Sequence, residues 1–190
     1  IVLDLDGTLT NNKKEITPRT YEALMEAQKK GIVVVLASGR PTYGIMPLAK
    51  QLKLAEYGGY ILAYNGGKIM DCKSGDTVFN QELCPDLVPM LYDEAMKAGV
   101  QILTYQGDGI AATKADDEYV EHEAFINKMP VVEYSDFKNQ VEYPINKCLI
   151  VGDPEPLHKL ELKLAAEMEG KISVYRSAPF FLECVPLGIE

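Results

Sequence analysis

The chain has 190 residues, 47% of them hydrophobic and 25% charged, a mix that buries an ordinary core and excludes a disordered tail or a collagen-like fibre. Nineteen Lys and Arg stand against 28 Asp and Glu, a formal net charge of −9. No broad basic surface is left for a phosphate backbone, so nucleic acid is not an expected partner. An acidic chain that binds a small phosphate must do so with local donors, helix N-termini or a bound cation, which raises magnesium as a candidate.

Four scattered cysteines (Cys72, Cys84, Cys148 and Cys184) form no C-x-x-C pair and read as buried, reduced thiols of a cytoplasmic protein. His122 and His158 fit no zinc spacing. The longest apolar run, Ile32 to Ala37, is too short for a bilayer span and no signal peptide opens the chain, so no membrane partner is expected. Oligomeric state is not legible, because no heptad or apolar stripe stands out.

Taken in chain order, Ile1 to Leu5 reads as a buried strand running into a polar loop. Thr17 is placed to cap a helix with Pro18 in its first turn, Tyr21, Leu24, Met25 and Ala27/Gln28 on one stripe, and Lys29-Lys30-Gly31 as its stop. Ile32 to Ala37 predicts a strand buried on both faces. Ser38-Gly39-Arg40-Pro41 turns into a helix carrying Ile45, Leu48, Ala49 and Leu52, and Tyr60 to Tyr64 predicts a third strand. This β-α-β-α-β order predicts a parallel sheet with ligands at the C-terminal strand ends.

After Asn65-Gly66-Gly67 the pattern changes. Lys68 to Asp71 and Thr77 to Glu82 flank a Lys-Ser-Gly-Asp turn, a hairpin signal. Helices follow at about 85–98, 116–128 and 154–169, with strands at 100–105, 109–113, 146–152, 172–176 and 180–185. That mixed order is α+β, so two modules are expected with a boundary near Gly67.

The chemistry concentrates in Asp4-Leu5-Asp6-Gly7-Thr8, two carboxylates two residues apart at the end of the first strand. Hydrolysis of a phosphate monoester needs a nucleophile, a proton donor and charge neutralisation together. Asp4 can attack phosphorus to give an aspartyl-phosphate. Asp6 can protonate the leaving oxygen and then activate water. Magnesium, satisfied by one or two carboxylates plus phosphate, fits beside them. Gly7 permits the sharp turn that brings backbone N–H groups to phosphate, and Thr8 is expected to brace the loop. Ser38 and Gly39, ahead of the second helix, offer a small anion site, with Arg40 beside them.

These residues together resemble the haloacid dehalogenase superfamily of phosphohydrolases, and within it the Cof-type (subfamily IIB) sugar phosphatases. The resemblance rests on Asp4 to Thr10, on Ser38-Gly39-Arg40-Pro41, on Tyr64-Asn65-Gly66-Gly67 and on Ser177 to Glu183, so it spans essentially the whole chain. It implies an α/β fold: a Rossmann-like core, C-terminally incomplete, with an inserted α+β cap. The division implied is residues 1–66 for the first part of the core, 67–186 for the cap and 187–190 for the start of the return to the core.

The resemblance further implies Asp4 as nucleophile and Asp6 as acid and base. Asp4 and Asp6 would hold Mg²⁺, through the side chain of the first and the backbone carbonyl of the second. Gly7, Ser38, Gly39, Arg40, Asn65 and Gly66 would lie on phosphate or substrate. The family's later Lys and Gly-Asp motifs have no counterpart before Glu190, and neither Lys147 nor Lys171 is placed to replace the Lys. These 190 residues are therefore expected to be most of a longer protein, and weak or inactive alone. The function implied is a Mg²⁺-dependent phosphatase of small phosphorylated metabolites, sugar phosphates foremost. A phosphosugar mutase and a non-catalytic phosphometabolite-binding protein are the alternatives. Transport ATPase and dehalogenase readings fit less well, the first for want of membrane spans and the second because Asp6 would have no leaving oxygen to protonate.

Overall fold

The computed structural model of the chain describes residues 1–189. By contacts they divide into two compact units, Ile1–Asn80 and Gln81–Glu190.

The first unit opens with β1 (Val2–Asp4), α1 (Pro18–Lys29), β2 (Val35–Ala37), α2 (Thr42–Gln51), α3 (Leu54–Tyr57) and β3 (Tyr60–Ala63). The hairpin β4 (Lys68–Asp71) and β5 (Thr77–Asn80) completes it. The sheet runs in the order β1-β2-β3-β4-β5, with the first three strands parallel and the last two antiparallel. Asp4 pairs with Ala37 and Ala37 with Leu62, so three strand ends lie level. Leu5, Leu36, Ile45, Leu52, Leu54 and Ile61 are fully buried and hold α2 and α3 to the sheet.

Helix α1 starts as its sequence predicts, with the Thr20 amide donating to Thr17 Oγ1 at 3.3 Å. It ends at Gly31, whose φ of +83° a side chain would strain. The second strand is shorter than its β-branched run: Val34 and Leu36 are buried, but Ile32 and Val33 precede β2 and are exposed. Gly59 sits where the chain brushes β2, so a Cβ there would stand 2.5 Å from the Val34 carbonyl oxygen.

The contact division falls after Asn80, not near Gly67. The reason is hydrogen bonding: β4 pairs with β3 from Tyr60↔Asp71 to Ala63↔Lys68, which ties the hairpin to the first sheet.

The second unit contains α4 (Val88–Ala98), β6 (Gln101–Gln106), β7 (Gly109–Ala112), α5 (Glu118–Asn127), β8 (Val131–Glu133), α6 (Phe137–Gln140), β9 (Cys148–Val151), α7 (Pro154–Glu167), β10 (Ile172–Ala178) and β11 (Phe181–Pro186). Its six strands run β10-β11-β9-β6-β7-β8, antiparallel except for β7 beside β8. Val88, Leu91 and Ala95 of α4 and Leu157, Leu160 and Leu164 of α7 share one core with Ile102, Ile150 and Leu182. Asp117 caps α5, accepting from the amides of Tyr119 and Val120.

Of the segment 187–190, residues 187–189 stay with this unit, where the Gly188 amide donates to Ser173 Oγ at 3.3 Å and the Ile189 amide to the Pro186 carbonyl at 3.1 Å. Glu190 lies outside the described residues.

The four cysteines are free thiols. Cys148 and Cys184 are buried, but Cys84 is exposed and Cys72 half-buried, so burial of all four is not observed. Among the described residues no helix is long and apolar enough to cross a membrane.

Candidate active site

Asp4 is the last residue of β1, and the chain then folds back on itself. The amide of Leu9 donates to the Asp4 carbonyl at 3.1 Å, and the amide of Thr10 to the Leu5 carbonyl at 2.9 Å. Gly7 takes φ +83° at the tip of this turn. Thr8 braces the loop through its amide, which donates to the Leu5 carbonyl at 3.4 Å, and the buried Thr10 adds its hydroxyl to the same carbonyl at 2.9 Å. Leu5 and Leu9 are buried on either side, so the two carboxylates project from an anchored loop.

Asp6 is gripped by two cations. Arg40, only 8% exposed, donates from Nε to Asp6 Oδ2 at 2.9 Å and from Nη2 to Oδ1 at 2.6 Å, a two-point fork. Lys14 Nζ reaches the same Oδ1 at 2.7 Å. Partial burial raises the proton affinity of Asp6, but the hydrogen bonds and charges of Arg40 and Lys14 outweigh it and hold the carboxyl below its ordinary value. Asp4, exposed, stands outside these ion pairs.

The ends of β2 and β3 supply the second wall. The Ser38 amide donates to the Leu62 carbonyl at 2.9 Å, the Tyr64 amide to the Arg40 carbonyl at 3.0 Å and the Asn65 amide to the Ser38 carbonyl at 3.2 Å. Ser38 Oγ accepts from the Arg40 amide at 3.2 Å, which leaves its O–H available as a donor. Tyr64 and Asn65 both take positive φ, 52° and 61°, and Gly66 takes 94°. This turn lays the Asn65 amide group against Gly39, where a Cβ would stand 3.3 Å from Asn65 Oδ1. Burial pushes the Tyr64 hydroxyl up to about 12, against the smaller opposing effect of the Thr42 backbone.

Asp6 and Arg40 are thus brought into contact, as are Gly39 and Asn65, and both Asp residues sit where an open α/β sheet presents its ligands. Lys14 was not singled out by its sequence. Lys13 and Lys14 are equivalent in composition, and only the hairpin built by Asn11, whose Oδ1 accepts from the amides of Lys13 at 2.8 Å and Glu15 at 3.1 Å, turns Lys14 toward Asp6.

For a divalent cation, the donor chemistry fits: an exposed carboxylate at Asp4 and the backbone oxygen of Asp6 suit a hard ion that keeps water and phosphate as its other ligands. The Asp6 carboxylate is already committed to Arg40 and Lys14. Among the described residues no group of three or more His, Cys, Asp or Glu is gathered for a metal.

Parallel strands carrying a carboxylate pair at one end and a Ser-Gly-Arg turn at the next form an α/β arrangement with polar groups where such sheets bind ligands. The chain belongs to the haloacid dehalogenase-like hydrolase family, whose model matches residues 1–190. A crystal structure of a haloacid dehalogenase-like hydrolase from Bacteroides thetaiotaomicron matches with 50% identity and a TM-score of 0.95, over 100% of this chain and 71% of that one. YxeH of Bacillus subtilis, named for a proposed phosphatase activity, is 29% identical over 188 residues, 96% of this chain and 68% of its own length. The HAD subclass IIB sugar phosphatase BT4131 shares the fold at a TM-score of 0.76 with 20% identity, over 99% of this chain and 70% of that one.

Proposed function

We propose that the protein is a Mg²⁺-dependent phosphatase of small phosphorylated metabolites, sugar phosphates foremost, working through an aspartyl-phosphate. The observation that carries this reading is the unequal state of the two carboxylates: Asp4 is exposed and outside the ion pairs, while Asp6 is held by Arg40 and Lys14. One carboxylate is available to attack, and the other is oriented beside it. The family match and the phosphatase names of its relatives support the same chemistry.

In this reading Asp4 attacks phosphorus while Asp6 delivers a proton to the leaving oxygen, then takes one from the water that cleaves the intermediate. The ion pairs favour Asp6 as a carboxylate, the form that activates water; donating a proton requires the grip of Arg40 and Lys14 to loosen. Backbone N–H groups after Gly7, the Ser38 hydroxyl, Gly39, Arg40, Asn65 and Gly66 surround the phosphoryl oxygens. The Asp4 side chain and the Asp6 backbone carbonyl would hold Mg²⁺, which offsets phosphoryl charge when bound. Residues 1–66 are read as core and 67–186 as cap, with the hairpin β4–β5 at the start of the latter hydrogen-bonded to the core sheet. A cytoplasmic enzyme on soluble metabolites is consistent with the free thiols.

The test is phosphate release by the full-length protein across a panel of sugar phosphates, with and without Mg²⁺, beside its Asp4→Asn variant. Metal-dependent release that falls at least about a thousandfold in the variant is expected. A folded protein that releases none from any substrate would return the reading to a binding protein, and a requirement for a bisphosphate activator would return it to a mutase.

A further inference from the structure

Arg40 engages both oxygens of the Asp6 carboxylate, one nitrogen on each, in a fork that holds it without a further cation. Lys14 then adds a second cation to Oδ1, an oxygen already served at 2.6 Å. An ammonium has three N–H donors, and among the described residues Asp6 is the one partner of Lys14 Nζ, so two donors remain open. Pairs this exposed add little to stability, Lys14 being 27% and Asp6 36% exposed. The fold nonetheless builds Lys14 in with care. The hairpin Asn11–Glu15 is closed by the Asn11 amide donating to the Glu15 carbonyl at 3.0 Å and the Lys14 amide donating to the Asn11 carbonyl at 2.9 Å. Thr10 and Ile16, both buried, bridge its base, and Lys14 itself sits at φ +61°, a region that L-residues avoid. A second cation on a braced loop, with N–H donors left over at the Asp6 carboxylate, is an arrangement suited to an anion contact.

We propose that Lys14 is a phosphate-binding residue of this site, bridging Asp6 to an oxygen of the bound phosphate. This rests on the phosphatase reading and extends it to a residue on the loop after β1. Lys14 helps Arg40 hold Asp6, and its open N–H donors take an anionic oxygen of the phosphate.

The experiment measures orthophosphate affinity by calorimetry in Mg²⁺ buffer, together with kcat and KM for the best substrate of the panel, using full-length wild type, Lys14→Gln and Lys14→Arg. Loss of one charge-assisted hydrogen bond should weaken orthophosphate about tenfold in Lys14→Gln. Lys14→Arg should restore most of the affinity, and the thermal midpoints of all three should agree. A Lys14→Gln protein that binds orthophosphate as the wild type does overturns the proposal, whether its kcat is normal or reduced, because a mere brace on Asp6 would alter kcat alone. In that case a wild type that still releases phosphate keeps the phosphatase reading intact. A wild type that neither binds orthophosphate nor releases it overturns both.

Discussion

The Arg40 guanidinium lies across the Asp6 carboxylate, Nε 2.9 Å from Oδ2 and Nη2 2.6 Å from Oδ1. The contact joins the loop after β1 to the start of α2, so it fixes the distance between two strand ends that the sheet alone leaves to their loops. Arg40→Lys keeps the charge and loses the fork. With Asp6 partly exposed, a loss of about 1 kcal/mol in urea denaturation is expected, together with a lower turnover. Arg40→Met should lose more, because Asp6 then keeps Lys14 as its one cation. The Asp6 carboxyl sits below its ordinary value, so its contribution is complete above the unfolded carboxylate pKa and disappears as pH falls through the folded one. Equal acid profiles for wild type and Arg40→Met would remove this account.

The parallel opening of the fold was legible because each signal there is local. Thr17, Pro18 and Gly31 bound one helix, and the apolar runs Ile32 to Ala37 and Tyr60 to Tyr64 are set off by turn residues. Two short elements, β8 and α6, had no such signal. Val131–Glu133 follows Pro130 and becomes a strand only by pairing with Ile110, Ala111 and Ala112. Phe137–Gln140 is a single turn that exists to seat Phe137 against Tyr92 and the α4 core. At the site, the carboxylate pair was readable from spacing. The contact that orients it was not, because Arg40 lies 34 residues from Asp6 and meets it only when β1 and β2 pair. The buried charges of the second unit were illegible for the same reason, since Lys147 finds Glu183 across β9 and β11.

That pair gives a second prediction. Lys147 Nζ lies 2.9 Å from Glu183 Oε2, and the two side chains are 3% and 5% exposed. Ser177 donates to the other Glu183 oxygen at 2.8 Å, and the ammonium stands 5.5 Å over the Tyr105 ring. Lys147→Met strands the buried Glu183 charge and should destabilise the protein by about 3–5 kcal/mol. Lys147→Met with Glu183→Gln removes both charges and should return to within about 1 kcal/mol of wild type. Additive losses in the double variant would mean that the two charges do not act as a pair.

Packing supplies a third. A Cβ at Gly152 would stand 2.6 Å from Val100 Cγ1 and 2.9 Å from its Cβ, and Val100 is itself buried. Neither group has a flexible end to yield, so Gly152→Ala should cost about 1–3 kcal/mol. Val100→Ala opens the same space, and the double variant should be more stable than the sum of the two single losses. Strict additivity in thermal denaturation would show that strain lies elsewhere.

Glu123 contributes to the pH response of the second unit in the direction opposite to its ion-paired carboxylates. It is 5% exposed on α5, and its Oε1 receives the Tyr105 hydroxyl and the Asn127 amide, each at 2.6 Å. Burial raises its carboxyl and the like charge of Glu183 adds to this; Lys147, Tyr105 and Asn127 pull back without cancelling it. The native state therefore holds this proton more tightly than the unfolded chain. Stability from the protonated form is complete below the unfolded carboxylate pKa of about 4.3 and is lost as pH rises through the higher folded value. Glu123→Gln fixes a neutral group of the same shape that still accepts from Tyr105. Urea midpoints of the two proteins should converge near pH 4 and separate as pH rises, the variant becoming the more stable. His122 and His158, both exposed, are common to both proteins and cancel in the difference. Parallel midpoint curves across that range would mean that Glu123 titrates as it does in the unfolded chain.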